Sequence, residues 1–115
     1  MNTQYKKGVL ELCVLSLLKK RDCYGYEISE FLAGHIDIAD GTVYPILRKL
    51  KADGMLTTYL QEESGGPPRK YYTLTRLGRE AYEGDRAEYL TFSAAIRNLS
   101  VSYTHLRAHE TDQYL

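Results

Sequence analysis

The stretch GGPPRKYYTLT, Gly65 to Thr75, places two long cations, Arg69 and Lys70, behind two glycines and two prolines. A second set, Thr42, Tyr44, Arg48 and Lys51, lies within ten residues of chain that also carries Val43, Ile46, Leu47 and Leu50. Guanidinium forks grip phosphate oxygens and the acceptor edge of guanine, and ammonium groups serve as point charges for phosphate. A loop stiffened by proline loses little entropy when it docks. These residue types suit the holding of a polyanion. Between Gly41 and Arg76 the cations Arg48, Lys49, Lys51, Arg69, Lys70 and Arg76 face only Asp53, Glu62 and Glu63, a local excess of +3 in a chain of net charge zero.

Bond-making chemistry has no comparable footing. No Ser/His/Asp set, no carboxylate pair in a plausible cleft and no phosphate-cradling glycine loop is present, so an enzyme is not expected. Cys13 and Cys23 stand ten apart, which is neither a zinc spacing nor a disulfide framework, and neither metal nor cofactor is expected. Cys13 falls in an apolar helical run and reads as a buried thiol; Cys23 falls at a turn, a position open to solvent. With 43% hydrophobic residues in 115, the core is small and a partner chain would help it. No apolar run is long enough for a bilayer, and residues 1–7 lack a signal-like apolar region, so the expected compartment is the cytoplasm.

The elements that must carry these cations follow from periodicity. Val9, Leu10, Cys13, Val14, Leu17 and Leu18 predict a helix over Tyr5–Lys20, with Leu12 and Leu15 widening its apolar arc. Asp22–Gly25 reads as a break. Ile28, Phe31 and Leu32 predict a short second helix stopped at Gly34. A third helix, about Thr42–Ala52, has the stripe Val43, Ile46, Leu47 and Leu50, Pro45 in its first turn and Thr42 as N-cap. Alternation over Met55–Gln61 and Lys70–Leu74 predicts two strands joined by the Gly/Pro loop. Thr75 then caps a long helix reaching about Leu99. The expected fold is mainly α with a small two-stranded β-hairpin wing: a winged helix-turn-helix plus a C-terminal dimerisation helix. In that arrangement the third helix enters the DNA major groove, and Gly65–Thr75 carries the wing.

Three stretches, YGYEI (Tyr24–Ile28), DGTVYPILRKLKADGML (Asp40–Leu56) and GGPPRKYYTLTRLGRE (Gly65–Glu80), resemble the PadR family of bacterial transcriptional regulators. The resemblance covers roughly residues 5–99. It implies a dimeric repressor that binds inverted-repeat double-stranded DNA near promoters and responds to small aromatic molecules. It puts Thr42, Tyr44, Arg48 and Lys51 on the recognition helix and Arg69 and Lys70 on the wing, with Tyr71 and Tyr72 bracing that wing. The competing reading is a winged-helix protein-interaction module that never touches DNA; the basic wing argues against it.

Tyr82, Asp85, Tyr89, Phe92, Ile96 and Leu99 recur at 3 and 4, a heptad seam with a polar break at Asp85. Tyr82, Tyr89, Phe92, Ile96 and Leu99 are therefore expected at a homodimer interface. The resemblance also implies a flat effector near such helices; the chain has no Trp, which leaves Tyr89 and Phe92 as rings to stack on it. After Ser100 the stretch VSYTHLRAHET matches the translation of one reading frame of a common transposase-based sequencing adapter. Its His105 and His109 have the spacing of a helical metal pair, but the match sets that reading aside. The expected organisation is 1–76 for the DNA-binding domain, 77–100 for the dimerisation helix, shortened if the tail is foreign, and 101–115 for a non-native tail.

Overall fold

The computed structural model describes residues 3–63 and 65–109, with side chains for 8–63 and 65–101. The elements are α1 (Thr3–Lys20), β1 (Cys23–Tyr24), α2 (Gly25–Ala33), α3 (Val43–Ala52), β2 (Leu56–Gln61), β3 (Arg69–Leu74) and α4 (Arg76–His109). The chain divides into two compact units, Met1–Glu83 and Gly84–Leu115.

The core of the first unit is built by the predicted stripes. Leu10, Val14, Leu17 and Leu18 are buried from α1, and Leu15, on the flank of the widened arc, is buried with them. Ile28 and Leu32 come from α2, and Val43, Ile46, Leu47 and Leu50 from α3. Leu56, Tyr72 and Leu74 close the core from the sheet, with Cys13 half-buried at its edge. Phe31, expected on the buried face of α2, is exposed instead, and its ring lies 4.5 Å from that of His35. The apolar stripe of α2 is thus narrower than its sequence suggests.

Thr42 holds the N-cap position of α3, but its backbone is already helical (φ −60°, ψ −33°) and its side chain makes no capping bond. The entry to the helix is instead a turn at Gly41, whose φ of +84° suits glycine, with the Thr42 N–H donating to the Ala39 carbonyl at 3.2 Å. The far end of α3 closes at Asp53, followed by Gly54 at φ +80°.

The wing is larger than a hairpin. β2 and β3 pair antiparallel from Leu56↔Leu74 to Gln61↔Arg69, as expected, but β1 adds a third strand through Cys23↔Tyr72 and Tyr24↔Tyr71. The sheet order is β1-β3-β2. A two-residue strand is too short for alternation to reveal, so the segment read as a break is structured. Its consequence falls on Cys23, which is fully buried rather than solvent-facing. Burial pushes the Cys23 thiol up to about 11. The thiolate is the reactive form. In the native chain near neutral pH, a maleimide is therefore expected to modify Cys13 slowly and Cys23 only after addition of denaturant. Rapid labelling of both in buffer, read by mass spectrometry, would count against this burial.

Thr75 caps α4 as predicted: its Oγ1 accepts from the Gly78 N–H at 3.0 Å and donates to the Gly54 carbonyl at 2.6 Å. The Thr75 N–H also donates to the Met55 carbonyl at 3.0 Å. One residue thus ties the end of α3, the start of β2 and the start of α4. Tyr82 packs on the edge of its own core, with Lys19 Nζ 5.6 Å from its ring centroid and 3.4 Å from Glu83. In the second unit every described side chain from Gly84 to Val101 is exposed except that of Ser93. The helix does not end near Leu99 but continues to His109. Residues 100–109 contain neither glycine nor proline, so nothing in them stops it. The side chains of His105 and His109, and residues 110–115, lie outside the described residues.

Candidate nucleic-acid interface

Four of the six predicted contact residues meet at one place. Tyr44 and Arg48 from α3 and Arg69 and Lys70 from β3 line an open cleft of 430 Å³. Tyr44 and Arg48 are four apart, one turn along the same helix face. That face is free because Val43, Ile46, Leu47 and Leu50 occupy the opposite side in the core. Thr42 is half-buried and Lys51 exposed, and neither lines the cleft. Lys49 is taken out of this face altogether by ion pairs to Glu11 at 3.4 Å and Asp53 at 3.0 Å.

Four further lining residues were not anticipated: Tyr24, Gly25, Tyr26 and Tyr72. Three of them form the junction of β1 and α2. The signal was present in the Tyr-Gly-Tyr spelling. A Cβ on Gly25 would lie 3.1 Å from Cε1 of Tyr44, closer than ordinary van der Waals contact, so glycine is what lets α2 start against the α3 ring. Tyr24 also carries the wing cation: the Arg69 guanidinium carbon sits 4.5 Å from its ring centroid, within cation–π range. Lys70 Nζ lies 6.0 Å from the ring of Tyr72.

The wing is braced by phenols. Tyr71 packs edge-on to Tyr24 with centroids 5.5 Å apart and stacks on Tyr59 at 5.7 Å. Tyr71 Oη donates to Glu63 at 2.7 Å, and Tyr59 Oη donates to Asp22 at 2.8 Å. This bears on the expected bracing: Tyr72 enters the core, whereas Tyr71 works on the outer face of the sheet.

The electrostatics of the cleft are one-sided. Its lining holds three cations and no carboxylate. Nearby acids are engaged elsewhere: Glu27 accepts from Arg21 at 2.8 Å and from the Tyr24 N–H at 3.3 Å, and Glu30 accepts from Tyr26 Oη at 2.7 Å. The same bonds keep the phenols protonated. The carboxylate of Glu63 pushes Tyr71 up to about 12. Tyr26 and Tyr59 are raised by their bonds to Glu30 and Asp22. Of these three phenols only that of Tyr26 lines the cleft, and its raised value keeps it from opposing an anion there. Among the described residues none of Arg48, Arg69 and Lys70 forms an ion pair. Three positive side chains converge on solvent with no internal anion to satisfy them.

Three helices, a three-stranded sheet with an extended hairpin, and cations shared between α3 and that hairpin define a winged helix-turn-helix protein of the DNA-binding class. Residues 14–84 match the model of the transcriptional regulator PadR-like family. Transcriptional regulator Rv3488 of Mycobacterium tuberculosis is 30% identical over 84 residues, 72% of this chain and 78% of that protein. A PadR-like transcriptional regulator of Bacillus cereus superposes with a TM-score of 0.76 at 34% identity, covering 84% of this chain and 96% of that one. Bacillus subtilis PadR in complex with operator DNA superposes with a TM-score of 0.58 at 29% identity, over 66% of this chain and 45% of that one. The chain belongs to the PadR-like family of transcriptional regulators, and it is a DNA-binding regulator rather than an enzyme.

Proposed function

We propose that the chain is a dimeric, cytoplasmic repressor that binds an inverted-repeat operator and is released by a small aromatic inducer. α3 enters the major groove with Thr42, Tyr44, Arg48 and Lys51 toward the DNA, and Arg69 and Lys70 bring the wing to the adjacent backbone. The observation that carries this reading is the convergence of α3 and wing cations on one acid-free cleft. The complex of Bacillus subtilis PadR with operator DNA supports it from outside the chain. Among the described residues no helix is long and apolar enough to cross a membrane.

The dimer reading rests on the exposure of Tyr89, Phe92, Ile96 and Leu99 at seam spacing, with Leu99 75% exposed. A solvated apolar stripe of this kind is costly until covered. Tyr82, the first seam residue, already packs on its own core and contributes less. Tyr89 and Phe92 are also the rings offered to an inducer. Residues 101–115 are proposed to be foreign to the natural protein on the strength of their match to translated adapter; the genomic locus would decide it.

The test is binding of the purified chain to the DNA upstream of its own coding sequence, across a salt series, with unrelated DNA as control. Tight, salt-steep binding confined to the upstream fragment is expected. Equal weak binding to both would point to a protein partner in place of an operator. In the same preparation, Phe92→Asp with Ile96→Asp is expected to convert a dimer to a monomer in sedimentation equilibrium and to weaken operator binding. An unchanged mass would remove the seam from the interface.

A further inference from the structure

Arg48 has two chemistries open to it, a fork onto guanine or a grip on phosphate, and its placement separates them. A residue that reads a base must reach forward into the groove, away from the protein body. Arg48 instead shares a recess with the wing: its neighbours in the lining include Arg69, Lys70, Tyr44 and the Tyr24–Gly25 junction. When a recognition helix occupies one groove and a wing the next, the strand between the two grooves passes over the gap that separates them. Resting on the DNA-binding reading above, we infer that this cleft straddles the DNA backbone. Arg48 and Arg69 hold one phosphate from opposite walls, and Arg48 is a positioning residue for the duplex that does not read sequence.

Three features of the cleft fit a phosphate. Its lining contributes charge without any acid, so an anion is attracted and not merely tolerated. Arg69 is already held in place over the Tyr24 ring, which lowers the entropy lost when it grips. Gly25 keeps the back wall low, since a side chain there would crowd Tyr44.

The experiment uses the full chain, its upstream operator fragment and a set of single-base-pair variants of that fragment, over a salt series. Arg48→Ala is expected to weaken binding to the operator and to every variant by the same factor. Arg48→Lys is expected to keep most of the affinity, because a point charge serves a phosphate but cannot reproduce a guanine fork. Arg48→Ala combined with Arg69→Ala should lower the slope of log K against log salt by about 0.9, the value for one phosphate, not about 1.8. Loss of preference at a single base pair in Arg48→Ala would overturn the inference in favour of base reading. A slope change of about 1.8 would overturn the shared phosphate, and an unchanged slope would remove both arginines from the backbone. A wild-type chain that does not distinguish the operator from unrelated DNA would instead overturn the operator reading on which this rests. Arg48 and Arg69 are both exposed, so folding is not at issue, and equal melting temperatures confirm it.

Discussion

Gly78→Ala is expected to melt roughly 12–24 °C below the parent chain. A Cβ at Gly78 would be driven into the carbonyl oxygen and carbon of Met55, which are backbone atoms and cannot rotate away. That carbonyl already accepts the Thr75 N–H, and Thr75 caps the helix at Gly78 itself. Relief requires α4 to lift from the start of β2, which breaks the clasp among Gly54, Met55 and Thr75. Overpacking with loss of a cap costs about 3 kcal/mol. At 4–8 °C per kcal/mol for a domain of this size, the melting shift follows. Gly84→Ala is the internal control, because a Cβ there meets nothing within 4 Å. It should stabilise the helix by about 0.5–1 kcal/mol. Calorimetry on both variants decides the matter: a Gly78→Ala chain that melts with Gly84→Ala would mean that α4 does not seat on Met55.

Arg69→Ala with Lys70→Ala is expected to weaken binding to operator and unrelated DNA alike by about 100-fold or more. Each cation can make a charge-assisted bond worth about 1.5–3 kcal/mol, so the pair contributes at least about 3 kcal/mol. Both side chains are exposed, so the fold should survive. The salt dependence should flatten, because phosphates no longer neutralised release no counterions. Affinity that falls only for the operator would mean that the wing reads sequence. A slope identical to the parent's would mean that the wing stays off the DNA.

Much of this was legible in the sequence. The α3 stripe of Val43, Ile46, Leu47 and Leu50 emerged because a helix with one dry face spells its period in apolar residues. The Thr75 cap was legible because hydroxyl capping is local chemistry. Arg69 and Lys70 stood out because nothing near them in sequence neutralises them. The hidden features are nonlocal. β1 is recognised only through its partner strand, so Cys23 looked like a turn residue and proved buried. Tyr24 and Gly25 joined the cleft because α2 starts against Tyr44, a contact that no spacing within the chain encodes. Lys49, counted with Arg48 among the local cations, is paired to Glu11 on another helix, a contact that no spacing in the chain signals. Helix ends were the other weakness: residues 100–109 lack a breaker, so the expected stop at Leu99 had no chemical signal behind it.

The short strand β1 also has a kinetic meaning. β2 and β3 are neighbours in sequence and can zip as a hairpin on their own, but Cys23↔Tyr72 joins positions separated by all of α2, α3 and β2. That pairing must bear the loop-closure entropy before it returns any stability. It can form only once α2 and α3 have folded back to bring β1 alongside β3. The sheet is therefore expected to be completed late in folding. Substitutions at Cys23 should then speed unfolding far more than they slow folding, whereas changes in the α3 stripe should do the reverse.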